Sequence, residues 1–285
     1  MGIKIGLLYD QIRWEEKAVL KTAKSRGLDI NLIDSKASTF ELTTKEKTLA
    51  LGDVILQRCV SYFRGIHVTA VLENRGYTVI NSYKVAEVCG NKLLSTLALS
   101  KAKIPTPKTY VAFTPESAVT ALDKLGYPAL LKPLVGSWGR LIVPLKDKDT
   151  AEAIFEGREY MFPIYQVYYI QEMVKRPPRD IRIIVVGEEA VAGMYRYSFQ
   201  DIKTNISRGG KAEPCRITDE LRELSLKAAE AVGKGILGVD MMETEDGILV
   251  HEVNHTVEFR GISMANTGVN IPKMIVGYLL RKAKK

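Results

Sequence analysis

Hydrophobic and polar positions switch between strand and helix spacing from the first residues onward. Residues 3–9 form an apolar run that predicts a buried strand, and residues 13–26 carry an amphipathic helical spacing stopped by Gly27. Residues 28–33 and 53–57 are strand-like. Ser61 is placed to cap a helix that reaches Arg75, with Gly76 as its stop, and residues 77–80 give another strand. Short apolar strands separated by helices imply a small parallel α/β domain over residues 1–88.

The pattern then changes. One helix is expected over residues 83–102, followed by Ile104-Pro105-Thr106-Pro107, a stiff extended joint. Thr114 and Pro115 open the next helix as N-cap and first helical residue. A strand at 129–132, a glycine-containing loop and a helix near 149–160 come next. Strands are expected at 166–174, 180–186 and 190–197, then a helix capped by Thr218 and running to 232. A hairpin at 236–254 and a C-terminal helix end the chain. Antiparallel neighbours dominate here, so the fold class is α/β plus α+β. No internal repeat is present.

A chain of 285 residues, 46% hydrophobic and 26% charged, has the composition of a globular enzyme with room for two domains. It has no run of about 18 apolar residues and no signal-peptide pattern, so no membrane span is expected and a cytoplasmic location is. Cys59, Cys89 and Cys215 are odd in number and far apart, which fits reduced buried thiols better than disulfides or zinc. The net charge of +8 points to an anionic partner. The basic residues are scattered and not interleaved with aromatics, which speaks against a nucleic-acid surface. An acidic protein fits at least as well.

The hairpin carries the first chemical signal. Glu245-Asp246-Gly247 suits a three-residue loop with Gly247 left-handed, pairing Thr244 with Ile248. That register sets Asp240 opposite Glu252 and puts Asn254 on the face of Glu252. Opposed carboxylates repel unless a cation lies between them, and all-oxygen donors suit Mg²⁺. An exposed acidic hairpin without metal is the plainer alternative.

The second signal is Lys132 at the end of an apolar strand, followed by Gly136, Ser137, Trp138, Gly139 and Arg140. Glycines let backbone N–H groups approach phosphate oxygens, and Lys132 adds a point charge. Taken alone, such a loop is usually only a turn. Lys92, in Gly90-Asn91-Lys92, reads by itself as a solvated helix residue. A third set is Arg182, two residues from Asp180 and so on its face, with Arg196, Asn205 and Arg208; arginine forks bind carboxylate or phosphate bidentately. There is no GxGxxG after the first strand, no GxxxxGK[ST] and no GxSxG, and only His67, His251 and His255 are available for a hydrolytic triad.

The order of these pieces resembles the ATP-grasp ligases, specifically the RimK-like branch and within it the LysX/ArgX group. Asn91-Lys92, Leu131-Lys132-Pro133, Gly136 to Arg140, Ile170-Gln171-Glu172-Met173-Val174, Arg179-Asp180-Ile181-Arg182 and Asp240 with Glu252-x-Asn254 carry the resemblance. So do Arg13-Trp14-Glu15-Glu16 and Asn254-His255-Thr256-Val257-Glu258-Phe259. It implies an ATP-grasp fold: a pre-ATP-grasp domain at 1–88, a lid subdomain at 89–170 and a C-terminal subdomain at 171–285. It also implies that Lys92 and Lys132 hold ATP phosphates beneath the loop of Gly136, Ser137, Trp138, Gly139 and Arg140. Gln171, Glu172 and Val174 would cover the adenine, and Asp240, Glu252 and Asn254 would hold Mg²⁺. Arg182, Arg196 and Arg208 would be catalytic. Arg196, Asn205, Arg208, Asn254, Gly261 and Ile262 would surround the amino-acid substrate.

The partner implied by this resemblance is LysW, a small acidic zinc protein ending in glutamate, which suits the positive charge; a homo-oligomer is compatible with it. ATP would phosphorylate the carrier carboxylate, and the amine of 2-aminoadipate or glutamate would attack the acyl-phosphate, in lysine and arginine biosynthesis. Such chemistry needs positioning and cations rather than a protein nucleophile. Phe259-Arg260-Gly261-Ile262-Ser263-Met264 departs from both the lysine-type and the glutamate-type pattern, so use of both amino acids is expected. The rivals are a RimK-like glutamate ligase acting on a ribosomal protein tail or a folate- or deazaflavin-type cofactor, and, from another class, a nucleic-acid-binding module.

Overall fold

The computed structural model describes residues 2–43, 50–197, 211–265 and 267–284. In chain order the elements begin with β1 (Lys4–Tyr9), α1 (Trp14–Ser25), β2 (Asp29–Asp34), β3 (Val54–Gln57), α2 (Tyr62–Asn74) and β4 (Thr78–Ile80). Then come α3 (Tyr83–Gly90), α4 (Lys92–Lys101), β5 (Thr109–Ala112), α5 (Pro115–Leu125), β6 (Ala129–Lys132), β7 (Val143–Leu145), α6 (Lys148–Glu159) and β8 (Tyr168–Glu172). The remainder is β9 (Arg179–Gly187), β10 (Glu189–Tyr197), β11 (Lys211–Pro214), α7 (Asp219–Val232), β12 (Gly235–Thr244), β13 (Gly247–Asn254), α8 (Arg260–Met264) and α9 (Ile271–Ala283). No helix among the described residues is long and apolar enough to cross a membrane.

The N-terminal strands pair in parallel in the order β2-β1-β3-β4, as their apolar runs and intervening helices imply. The middle sheet runs β5-β8-β6-β7 and the C-terminal sheet β11-β10-β9-β12-β13, both antiparallel. Caps fall where the sequence puts them: Ser61, Thr114 and Thr218 each accept a backbone N–H from the first turn of α2, α5 and α7.

The single helix expected over residues 83–102 is two helices. Asn91 has an extended backbone, ends α3 and caps α4 by accepting from Leu93 and Leu94 N–H. An asparagine oxygen competes with the helical hydrogen bond, and here it breaks the helix. The break makes Lys92 the first residue of α4 and turns its side chain inward. Val85, Val88 and Cys89 of α3, which runs across the expected boundary at residue 88, and Leu99 of α4 pack into the core of the C-terminal sheet.

A second core joins the N-terminal sheet to the C-terminal one: Ile5, Leu7 and Val19 pack with Ile275, Val276, Leu279 and Phe259. Asn81 adds a polar stitch. It donates to the carbonyls of Ile236 at 2.8 Å and His255 at 2.6 Å and accepts from Ile236 N–H at 2.7 Å. Gly235 leaves room for it, since a Cβ there would lie 2.0 Å from Asn81 Oδ1. Replacing Asn81 with Ala strands backbone groups that were paired while buried, and each such group costs about 1–3 kcal/mol. Asn81→Ala is expected to lower the urea midpoint by an amount equivalent to several kcal/mol with the m-value unchanged. A midpoint within error of the parent means that the stitch contributes nothing.

Candidate active site

The functional side chains gather around one cavity of about 1250 Å³, walled by the middle sheet, the C-terminal sheet and the first turns of the N-terminal domain. Its floor is the β9-β12-β13 face. The register pairs Asp240 with Arg182 on one side and with Glu252 on the other. The turn that produces this pairing is not the expected one. Thr244 pairs with Gly247, so the loop has two residues, and a bulge at the level of Asp240 skips His251. Without the bulge, the two-residue turn would slip the register by one and carry Glu252 to the other face. The three-residue turn is thus corrected, while the opposition of Asp240 and Glu252 stands. Asn254 lies on the same face, donating Nδ2 to Asp240 Oδ2 at 3.1 Å.

Cations surround these carboxylates. Arg182 forks onto Asp240 with two bonds of 2.7 Å, and Arg196 reaches its Oδ2 at 3.0 Å. Arg196 also forks onto Asp180, its cross-strand partner, at 2.6 and 2.8 Å. Burial opposes a charge on Asp240, yet Arg182 and then Arg196 outweigh it and hold the carboxyl well below the usual range. Burial also opposes a charge on Glu252; Lys92, 2.9 Å away, more than offsets it, so this carboxyl too is ionised.

Lys132 closes the opposite wall. It is buried, and its ammonium donates to Gln171 Oε1 at 2.5 Å. Gln171 is held in turn by donating to Thr109 Oγ1 and Tyr169 OH. Burial pulls the Lys132 pKa down to about 8; Glu252 resists, while Lys92 and Arg176 add to the fall. The same dry setting pushes His251 down to about 4, with Lys132 contributing. Cations outnumber carboxylates in this wall, so the site favours a polyanion.

Lys92, Lys132, Gln171, Glu172, Val174, Arg182, Arg196, Asp240, Glu252, Asn254 and Gly261 all line the cavity, as do Gly136, Ser137, Trp138, Gly139 and Arg140. Ile262 does not: it is fully buried in the core shared with α9, so a side-chain contact to substrate is corrected to a packing role. Asn205 and Arg208 lie outside the described residues. Lys92, which alone reads as a solvated helix residue, is drawn inside by the Asn91 break. Arg13, Trp14, Arg176, His251 and Glu258 also line the cavity and were given no role from the sequence. Arg13, Trp14 and Glu258 sit in segments that carried the resemblance, but only the fold shows that they meet.

Among the described residues no group of three or more His, Cys, Asp or Glu side chains could hold a metal. The donor set here is two ionised carboxylates and an amide. Because Asn254 spends its N–H₂ on Asp240, its amide oxygen is left for a cation, and such oxygens suit a hard divalent ion that shares its shell with phosphate.

The LysX preATP-grasp domain family matches residues 5–88 and the RimK-like ATP-grasp domain family residues 89–279. The chain is 38% identical to an alpha-aminoadipate–LysW ligase LysX of Sulfurisphaera tokodaii, covering 99% of this chain and 98% of that one. It is 31% identical to a glutamate–LysW ligase ArgX of the same organism, over 99% and 100% of the two chains. A crystal structure of a RimK domain protein ATP-grasp from Sphaerobacter thermophilus superposes with a TM-score of 0.79 at 24% identity, covering 97% of this chain and 99% of that one.

Lys132 gives the site a pH signature. The free protein keeps this proton only up to about pH 8. A bound polyphosphate favours the charged form, so affinity for ATP should fall as pH rises through that value. Just above it, binding should take up a proton. Calorimetry in buffers of different ionisation enthalpy measures that uptake, and Lys132→Met should abolish it; uptake that persists assigns the proton elsewhere.

Proposed function

The chain belongs to the RimK-like ATP-grasp family, and from that membership we propose that it joins the α-amino group of 2-aminoadipate or glutamate to the C-terminal glutamate of an acidic LysW carrier. As an ATP-grasp ligase it uses ATP. The observation that carries the reading is the Asp240–Glu252 pair, ionised and opposed, with Lys92 paired to Glu252 and the surplus cations Lys132 and Arg176 lining the same cavity. Similarity to LysW ligases along nearly the whole chain supports the choice of carrier. The enzyme is read as cytoplasmic, in lysine or arginine biosynthesis.

Each side chain then has a task. Lys92 and Lys132 hold ATP phosphates under the glycine loop, and Glu172 and Val174 line the end where the base lies. Arg182 and Arg196 face the charge that develops as the carrier carboxylate takes the γ-phosphoryl group, with Arg208 and Asn205 completing the acyl-phosphate and amine site. Asp240, Glu252 and Asn254 would hold Mg²⁺, which when bound neutralises phosphate charge and orients it for in-line transfer. The amine nitrogen bonds to the acyl carbon, the acyl C–O bond breaks, and phosphate leaves. Positioning replaces nucleophilic catalysis, so no serine or cysteine is needed.

Gly261 lines the cavity without a side chain. Glutamate and 2-aminoadipate differ by one methylene, which is worth only about 1–3 kcal/mol of discrimination. With no polar group at residue 261 to read the carboxylate position, glutamate should be used no worse than ~100-fold below aminoadipate. ADP release assayed with LysW and each amino acid tests both points. Turnover should require carrier and amino acid together, Glu252→Gln should abolish it without changing the fold, and Gly261→Asn should widen selectivity. ADP release indifferent to LysW would rule out the carrier, and unchanged selectivity in Gly261→Asn would show that residue 261 does not read the side chain.

A further inference from the structure

One carboxylate that has no task in this mechanism joins three separate parts of the molecule. Glu258 lies between β13 and α8. Its Oε1 accepts from Trp138 Nε1 in the glycine loop at 3.3 Å and from Arg13 Nη1 at 3.1 Å. Arg13 is itself fixed: Nε and Nη2 donate to the two oxygens of Glu16 at 3.2 and 3.0 Å, and Glu16 is fully buried with Arg58 2.9 Å away. Trp138, Glu258 and Arg13 all line the cavity. The same loop is tied at its start by Lys92, whose ammonium donates to the Gly136 carbonyl at 3.0 Å. The loop is therefore held at one end by a phosphate-side lysine and further along by Glu258 and the N-terminal domain.

We infer that Glu258 is a positioning residue: by linking Trp138 to Arg13 through its own carboxylate it keeps the glycine loop closed, so that the acyl-phosphate meets the amine and not water. This rests on the ligase reading above. In the productive step the amine nitrogen bonds to the acyl carbon, the acyl C–O bond breaks, phosphate leaves and the nitrogen gives up a proton to phosphate or solvent. Water attacking the same carbon breaks the same bond and returns the free carboxylate and phosphate, so ATP is consumed and no amide forms. A loop tied only through Lys92 can lift at its Trp138 end and admit that water. The Glu258 side chain is 36% exposed, so removing it opens no cavity in a core.

The test compares ADP released with amide formed in the parent, Trp138→Phe, Glu258→Ala and the double variant, each checked for an unchanged melting temperature. Each single variant is expected to raise the ratio several-fold, and the double variant no further than either single, because both remove one contact. Glu258→Gln keeps an oxygen for Trp138 and should recover most of the coupling. A ratio that stays at the parent value, or effects that multiply in the double variant, overturns the proposal. Trp138 emission in a Trp14→Phe background supplies a readout that needs no carrier. Glu258→Ala should shift it toward that of a solvated indole, with and without ATP. If the LysW reading itself fails, unchanged emission still overturns the contact, and a shift still supports it.

Discussion

Asp240 sits in a dry sheet between two arginines and across from a second carboxylate, and the rest of the cavity follows from that constraint. Two like charges at cross-strand distance destabilise a sheet, and burial makes each one dearer. Arg182 and Arg196 cover one, and Lys92 covers the other. Removing one partner from such a buried set typically costs about 3–5 kcal/mol, because the remaining charge is left uncompensated. The sheet must therefore bring cations to this spot. With Lys132 and Arg176 added, it brings more than its carboxylates need, and the excess is what a polyphosphate can use.

The surrounding fold keeps that arrangement dry and in register. The bulge in β13 restores Glu252 to the face of Asp240 after a turn one residue too short. The Asn91 break draws Lys92 inward, and Gln171 fixes the buried Lys132 ammonium while itself held by Thr109 and Tyr169. The N-terminal domain contributes more than a docked neighbour. Asn81 binds the backbone on either side of the hairpin, and Arg58 donates to the Val257 carbonyl just beyond it. The strand ends that carry Asp240 and Asn254 are thereby held from outside their own sheet.

Much of this was legible in the sequence. Asp240 opposite Glu252, Asn254 on their face and Lys132 at the end of its strand all follow from period-two alternation and a turn signal. The short N-terminal strands follow from apolar runs cut by glycine. What was hidden has specific causes. The bulge that skips His251 cannot be seen because Glu245-Asp246-Gly247 is compatible with two turn lengths, and a longer turn gives the same pairing as a shorter turn plus a bulge. The break at Asn91 looks like ordinary helix, since the residues around it keep a helical apolar spacing. Short β5, β7 and β11 are set by pairing across the sheet rather than by local pattern. Glu258, Arg13 and Trp138 are far apart in the chain and meet only once all three parts are folded, so no window of sequence could join them.

Phosphoryl transfer to a carboxylate inside this cavity is the event on which every one of these side-chain roles depends, and oxygen exchange reads it directly. With the carrier's terminal carboxylate labelled with ¹⁸O, turnover with ATP and amino acid should deliver one labelled oxygen from the carboxylate into the released inorganic phosphate. The nitrogen of the amino acid displaces the acyl oxygen together with the phosphoryl group, so the label must follow the phosphate. Phosphate that carries no label while amide accumulates would contradict an acyl-phosphate, and with it the roles given to Lys92, Lys132, Arg182 and Arg196.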